Sequence, residues 1–229
     1  MGSRRLLDSR PRLQLALILG VVWGVLAAPT ALAQSNRQEL RPKLDGKSTV
    51  LALGKGGHVI LLRHAATKGW RPGETEFDID DCSTQRNLSE EGRRQATEIG
   101  RAFKKLAIPV GSVWSSPYCR CLETGELAFG TVEQSEILDA GTGLSGTEKS
   151  DRGIQVRSML GTPPAAGENT VLITHTGNLL YTFGLNPQPE GIAHVFKPLA
   201  AGPPSYIGMV LPGEWSEVAG LDARAAAPE

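Results

Sequence analysis

Several features that identify common protein classes are scarce or missing in this sequence. Its three cysteines and four histidines form neither paired C-x-x-C halves nor an H-x-H or H-E-x-x-H motif, so no metal site is expected. Basic and acidic side chains are equal in number, 24 of each, which excludes the basic excess typical of nucleic-acid-binding proteins. No apolar run reaches the ~20 residues that a membrane-spanning helix needs.

The first 33 residues have the order of a secretory signal peptide. Four arginines and one aspartate precede an apolar run from Leu13 to Ala28, and Ala31-Leu32-Ala33 supplies a cleavage site. The alternative is an uncleaved anchor, for which the run is short. We expect export to the periplasm or outside the cell, by the general secretory or the twin-arginine route. Cleavage leaves a net charge of about −3, and neither nucleic-acid binding nor stable membrane insertion is expected.

Export would bring Cys82, Cys119 and Cys121 into an oxidising compartment, where disulfides persist. An odd number allows at most one intramolecular bridge and leaves one free thiol. The sequence predicts that Cys82 pairs with either Cys119 or Cys121, and it leaves the choice between them open.

Short apolar runs alternate with amphipathic stretches through the rest of the chain, as in α/β proteins. We predict a single doubly wound, three-layer α/β domain with a mostly parallel sheet over residues 58–215. A polar segment at 34–57 precedes it and a polar tail at 216–229 follows it. Strands are expected at 58–64, 112–116, 135–139, 170–175, 192–196 and 206–211. Helices are expected at 89–106, 120–129, 148–160 and around 179–183.

Polar side chains follow four of these predicted strands. Arg63 and His64 end the first strand, Arg120 follows the second, Asp139 ends the third and His175 the fourth. Ligands of open α/β sheets bind beyond the carboxyl ends of the strands, so these side chains are expected in one crevice. Arginine pairs suit the oxygens of a phosphoryl group. A neutral imidazole can attack phosphorus, and a second histidine can donate to the oxygens.

Three segments then resemble the histidine phosphatase superfamily, the phosphoglycerate-mutase-like proteins. Leu62-Arg63-His64-Ala65 is similar to its L-R-H-G/A signature, and the segment Ser116–Thr124 is similar to S-P-x-x-R-x-x-x-T. Leu172–Gly177 resembles the strand that carries the second histidine. The resemblance covers residues 58–198 in the family's order.

The resemblance implies a role for each matched residue. His64 would be the phosphorylated nucleophile, while Arg63, Arg120 and His175 would form the phosphate pocket. Thr67 falls where the family often has a further polar contact to phosphate. On this basis we expect the rate to fall below about pH 6, as His64 becomes protonated.

The family pattern leaves two candidates for the residue that transfers the proton. Thr176 excludes the branch that has His-Asp at the second histidine. Asp139 occupies roughly the place of the glutamate in the other branch, and we choose it over the alternative, Glu190, because of its predicted position at a strand end. Ala65 and Thr176 replace glycines of the family pattern.

The resemblance implies an exported, metal-independent phosphomonoesterase that needs no cofactor. Its substrate would be a small phosphorylated compound, such as a sugar phosphate or a glycan phosphate of the cell envelope. The alternative is a non-catalytic module that keeps the anion pocket and lacks a competent acid. The long loop 65–86 is expected to form one wall of the pocket. Because this loop is mostly acidic, compact phosphomonoesters should be preferred over highly phosphorylated inositols.

Overall fold

The computed structural model describes residues 40–69 and 77–221. Six strands and six helices of at least eight residues lie within these ranges. The strands are β1 Val59–Arg63, β2 Val110–Ser115, β3 Glu133–Gln134, β4 Asn169–Thr174, β5 Ala193–Lys197 and β6 Ser205–Val210. The helices are α1 Gly46–Leu53, α2 Glu90–Lys105, α3 Cys119–Phe129, α4 Gly146–Gly161, α5 Thr176–Phe183 and α6 Pro212–Ala219. Two short 3-10 turns, Cys82–Thr84 and Glu136–Leu138, complete the described elements.

The strands form one mixed sheet in the order β3-β2-β4-β1-β5-β6. The pairings β3-β2, β2-β4 and β4-β1 are parallel, whereas β5 pairs antiparallel with both of its neighbours. The predicted α/β class is therefore confirmed. The expectation of a mostly parallel sheet is right only for the half that contains β1 to β4.

Helices cover both faces of the sheet, as the three-layer prediction requires. Ile60 and Leu62 of β1 face a core that includes Phe103 of α2 and Trp215 of α6. The alternate residues of β1 face a second core, which α4 and α5 cover. Successive side chains of a strand point to opposite faces, so a strand that is apolar throughout must be buried on both.

Helix α2 begins and ends where its sequence predicts. The Oγ of Ser89 accepts a hydrogen bond from the Gly92 N–H, and Glu90 and Glu91 lie in the first turn. The last turn carries Lys104 and Lys105. A hydroxyl cap, acidic residues at the start and basic residues at the end all match the helix dipole.

Other predicted boundaries need correction. No strand forms at 135–139, because this stretch contains the 3-10 turn Glu136–Leu138 and the short strand β3 precedes it. Helix α1 lies inside the segment 34–57 that we expected to be merely polar, and it packs against β6 and α6. The predicted boundary between residues 215 and 216 falls inside α6.

The predicted signal peptide at residues 1–33 lies outside the described residues. None of the described helices is long and apolar enough to cross a membrane.

Candidate active site

The residues that follow β1, β4 and β2 meet at one edge of the sheet, because these strands are neighbours. Backbone hydrogen bonds extend the pairing past the strand ends. The His64 N–H donates to the Thr174 carbonyl (2.9 Å), and the Ser116 N–H donates to the Ile173 carbonyl (3.0 Å). The chain segments that follow these strands are therefore adjacent, as the expected crevice beyond the carboxyl ends requires.

Two histidine rings form the centre of this crevice. The ring centroids of His64 and His175 are 5.4 Å apart, and both side chains are buried. The Nδ1 of His64 lies 2.9 Å from the Ala65 carbonyl oxygen. A carbonyl can only accept, so Nδ1 carries the proton and Nε2 keeps its lone pair. His64 is thus held as the tautomer that a nucleophile needs.

The environment of His64 also keeps its ring neutral. Burial, and next the positive charge of Arg120, lower the pKa of His64 to about 3. Both effects disfavour the imidazolium ion. The expectation that the nucleophile is lost below pH 6 is therefore wrong, since His64 keeps its lone pair well below that pH.

His175 holds Arg120 in place. The Nη2 of Arg120 donates to Nδ1 of His175 at 3.1 Å, so Nε2 of the ring bears the proton and faces the Ser116 Oγ at 2.8 Å. Burial, and next the charge of Arg120, lower the pKa of His175 well below its usual value. The Arg120 guanidinium also lies over the Tyr118 ring, 4.4 Å from its centroid.

A carboxylate lies on the other side of His64. The Gly191 N–H donates to the His64 carbonyl (2.9 Å), which brings the preceding Glu190 to the site. Arg63 Nη2 lies 3.1 Å from Glu190 Oε1, and the Thr67 N–H donates to Oε2 at 2.8 Å. The Thr67 hydroxyl donates to the same carboxylate. Thr67, which the resemblance assigns to phosphate, therefore contacts Glu190 in this structure.

Glu190 is ionised at neutral pH. Burial would raise its pKa, but the hydrogen bonds from Thr67 and the charge of Arg63 act in the opposite direction and lower it overall. A carboxylate that accepts several hydrogen bonds loses its proton more easily.

Asp139, the other candidate for proton transfer, has different neighbours. Its Oδ1 accepts a hydrogen bond from the Gly141 N–H at 2.6 Å and lies 3.9 Å from Nη1 of Arg152. It follows a 3-10 turn instead of a strand. The structure thus brings Glu190, and not Asp139, into contact with Arg63 and Thr67.

Arg86 is a site residue that the sequence analysis missed. Its Nη1 donates to the Thr67 hydroxyl at 2.6 Å and lies 3.3 Å from Glu190 Oε1. Its charge also lowers the pKa of His175. Arg86 comes from the end of a long polar loop, and no local pattern distinguishes it from the other arginines of the chain.

The cysteines show how that loop is attached. Cys82 forms a disulfide with Cys119, which decides between the two predicted pairings. Cys121 is free and buried, with its Sγ 3.4 Å from Nε2 of His175. Burial raises the pKa of the Cys121 thiol to about 12, so this thiol is a weak nucleophile.

The site is arranged to bind an anion. The Nε groups of Arg63 and Arg120 are buried and have no hydrogen-bond partner among the described residues. Buried polar groups almost always have a partner, and phosphate oxygens are acceptors that suit guanidinium donors. Three guanidinium groups and one carboxylate, with both histidines neutral, leave two positive charges, which matches the dianion of a phosphate monoester.

Comparison with known proteins gives one family and several similar structures. Residues 59–141 match the sequence model of the histidine phosphatase superfamily (branch 1). This range includes His64, Arg86 and Arg120, but not His175 or Glu190. A search of curated proteins found no match.

Three solved structures illustrate the structural likeness. The protein histidine phosphatase SixA, complexed with tungstate, is 13% identical with a TM-score of 0.46, over 69% of this chain and 98% of that one. A phosphoserine phosphatase mutant from Entamoeba histolytica, in complex with phosphoserine, is 15% identical with a TM-score of 0.46, over 68% and 97%. A mycobacterial glucosyl-3-phosphoglycerate phosphatase is 16% identical with a TM-score of 0.42, over 61% and 89%.

Proposed function

We propose that this chain, whose residues 59–141 match the histidine phosphatase superfamily, is a phosphatase of that superfamily that hydrolyses phosphate monoesters through a phosphohistidine on His64, without a metal ion. The single observation that carries the proposal is the state of His64. Its Nδ1–H is bound to a carbonyl, which leaves the Nε2 lone pair free, and burial, together with the charges of Arg120 and Arg63, lowers the pKa of the ring.

In the first step, Nε2 of His64 forms a bond to phosphorus while the bond from phosphorus to the ester oxygen breaks, and the departing oxygen takes a proton from solvent water. Arg63 and Arg120 stabilise the phosphoryl oxygens during transfer. In the second step, water attacks the phosphohistidine, the N–P bond breaks, and neutral His64 and inorganic phosphate are released.

We assign proton transfer to Glu190, because it contacts Arg63 and Thr67 beside the nucleophile. Its lowered pKa means that Glu190 begins the cycle as a carboxylate. A carboxylate can take a proton from the attacking water, which makes Glu190 a general base in the second step. Glu190 returns to solvent the proton that it takes in the second step.

The charge of the pocket supports a substrate with one phosphate group. Two net positive charges balance one phosphate dianion and would leave a second anionic group without a partner. The loop that carries Arg86 also bears the exposed residues Asp78, Asp80 and Asp81, whose charges disfavour the approach of a strongly anionic ligand. These observations support a compact phosphomonoester such as a sugar phosphate or a glycan phosphate of the cell envelope.

Export remains part of the proposal. The Cys82–Cys119 disulfide supports it, because disulfides persist mainly in oxidising compartments. The basic and apolar N-terminal segment points the same way.

Trapping of the covalent intermediate tests the proposed reaction. The chain is allowed to react briefly with an aryl phosphate that carries a radiolabelled phosphate group, and the reaction is then quenched without acid. We expect one acid-labile phosphate per chain, which mass spectrometry should locate on His64. His64→Ala should abolish both labelling and turnover, whereas His58→Asn, at the opposite end of β1, should retain them. Turnover should survive a metal chelator. Phosphate binding without any labelling or turnover would instead identify a binding module.

A further inference from the structure

The loop that carries Arg86 is joined to the active site by a covalent bond. Cys82 is bonded to Cys119, which is the first residue of α3 and directly precedes Arg120. One cross-link therefore ties the segment 78–88 to the helix terminus that carries a phosphate-binding arginine.

Apart from this cross-link, residues 80–84 of the segment have weak attachments. Residues 80–84 are exposed, and the hydrogen bond from the Asp78 N–H to the Thr84 hydroxyl lies within the segment. Firmer contacts begin at Gln85, whose buried side chain accepts a hydrogen bond from the Cys119 N–H at 3.0 Å, and continue at Leu88, which is buried with Ala65 and Ala96. Segments with few buried apolar contacts open at low free energy. The disulfide is thus the strongest connection between this segment and α3.

Arg86 depends on the position of this segment. It lies four residues after Cys82, and its described contacts with Thr67 and Glu190 go through Nη1 alone. The same Oε1 atom of Glu190 also contacts Arg63 beside the nucleophile. A displacement of the segment would therefore remove a cation from the pocket and loosen the Glu190 carboxylate.

We propose that the Cys82–Cys119 disulfide is a positioning element of the active site, which holds Arg86 against Glu190 and fixes the start of α3 beside Arg120. The inference rests on the proposed phosphatase function. A dithiol reductant would break the S–S bond, convert both cysteines to thiols and itself become a disulfide. The released segment then moves Arg86 away, and phosphate binding weakens although the domain stays folded.

Calorimetric titration of the full chain with inorganic phosphate tests this inference. Dithiol treatment, or the variant Cys82→Ser/Cys119→Ser, should weaken phosphate binding about tenfold, as expected for one displaced charge-assisted contact. The value of kcat/KM for an aryl phosphate should fall by a similar factor. The far-ultraviolet circular dichroism should not change, and the serine variant should not respond to dithiol.

A double-mutant cycle distinguishes positioning from a general effect on the fold. In an Arg86→Gln background, the two serine substitutions should weaken phosphate binding by less than about threefold more. Arg94 is an exposed arginine paired with Glu91 and serves as the control. In an Arg94→Gln background, the two serine substitutions should weaken phosphate binding by the full factor of about ten.

Equal phosphate affinity of the oxidised and reduced chains would overturn the inference. Full additivity with Arg86→Gln, or unfolding upon reduction, would overturn it as well. Failure of the proposed function looks different, since the oxidised chain would then bind phosphate without hydrolysing its esters, and the calorimetric comparison would still decide the role of the disulfide.

Discussion

At the scale of single residues, the two carboxylates near the site differ in their partners. Glu190 is held by Arg63, Arg86 and Thr67, whereas Asp139 accepts a backbone N–H two residues further along its own loop. Removal of the Glu190 charge therefore alters the phosphate pocket, whereas removal of the Asp139 charge alters only a local turn.

Substitution of each carboxylate by its amide should separate these roles. Glu190→Gln should slow turnover by about 10²-fold, because hydrolysis of the phosphohistidine loses its base. The labelled intermediate should then accumulate, and an initial burst of alcohol or phenol should appear. Asp139→Asn should stay within about threefold of the wild type. The opposite pattern in burst kinetics would return the proton-transfer role to Asp139.

The sequence predicts most of this site. Arg63 ends an apolar strand, His64 and His175 directly follow such strands, and parallel strands bring these residues to one edge of the sheet. Arg86 and Glu190 lie in loops, 104 positions apart, and no periodic pattern states that they meet. Their contact depends on the path of the loops, which tertiary packing and a disulfide determine.

At the scale of elements, helix α2 and the loop after β1 pack through a glycine. A Cβ on Gly92 would lie 1.8 Å from the Ala66 carbonyl oxygen. The same carbonyl accepts the Ser89 N–H at 3.0 Å. Because Thr67 comes next in the chain, the close approach of the helix also fixes a contact of Glu190.

Gly92→Ala should therefore impair both stability and activity. Overpacking against backbone typically costs ~1–3 kcal/mol, and kcat/KM should fall because Thr67 is displaced. Urea unfolding and steady-state kinetics measure the two effects. Gly146→Ala is a matched control at the start of α4, where a Cβ meets nothing within 4 Å. A Gly92→Ala variant as stable and active as this control would contradict the packing argument.

The elements that the sequence predicts correctly are those with strong local signals. Helix α2 has a hydroxyl cap, an apolar face and charges suited to its dipole. Strand β3 has two exposed residues and carries no apolar signal, so it could not be found. The apolar pattern of β5 is the same for either direction, because alternation along a strand does not state which way the strand runs.

At the scale of the whole molecule, buried histidines couple stability to pH. Burial, and next the charge of Arg120, lower the pKa of His64 to about 3 and that of His175 well below its usual value. Burial alone lowers the pKa of His194 to about 4. All three are neutral in the folded chain under conditions where the unfolded chain would protonate them.

The direction of the effect follows from proton uptake. Between pH 6.5 and about 4 the unfolded chain binds more protons than the folded one, so the free energy of unfolding decreases as the pH falls. Above pH 6.5 these histidines make no difference, since they are neutral in both states. The paired carboxylate of Glu190, with its lowered pKa, adds to the loss at the acidic end of this range.

Acid should therefore unfold this protein steeply. With three histidines taking up protons upon unfolding, the free energy of unfolding should fall by up to ~4 kcal/mol per pH unit near pH 5. Urea unfolding at intervals from pH 7 to pH 4.5 measures this slope. His194→Gln, which lies outside the active site, should reduce the proton uptake from about three to about two while His64 remains available for labelling. A free energy of unfolding that stays constant from pH 7 to pH 5 would mean that these histidines bind protons alike in the folded and unfolded chains, so that His64 would be protonated, and unable to attack phosphorus, below the usual histidine pKa.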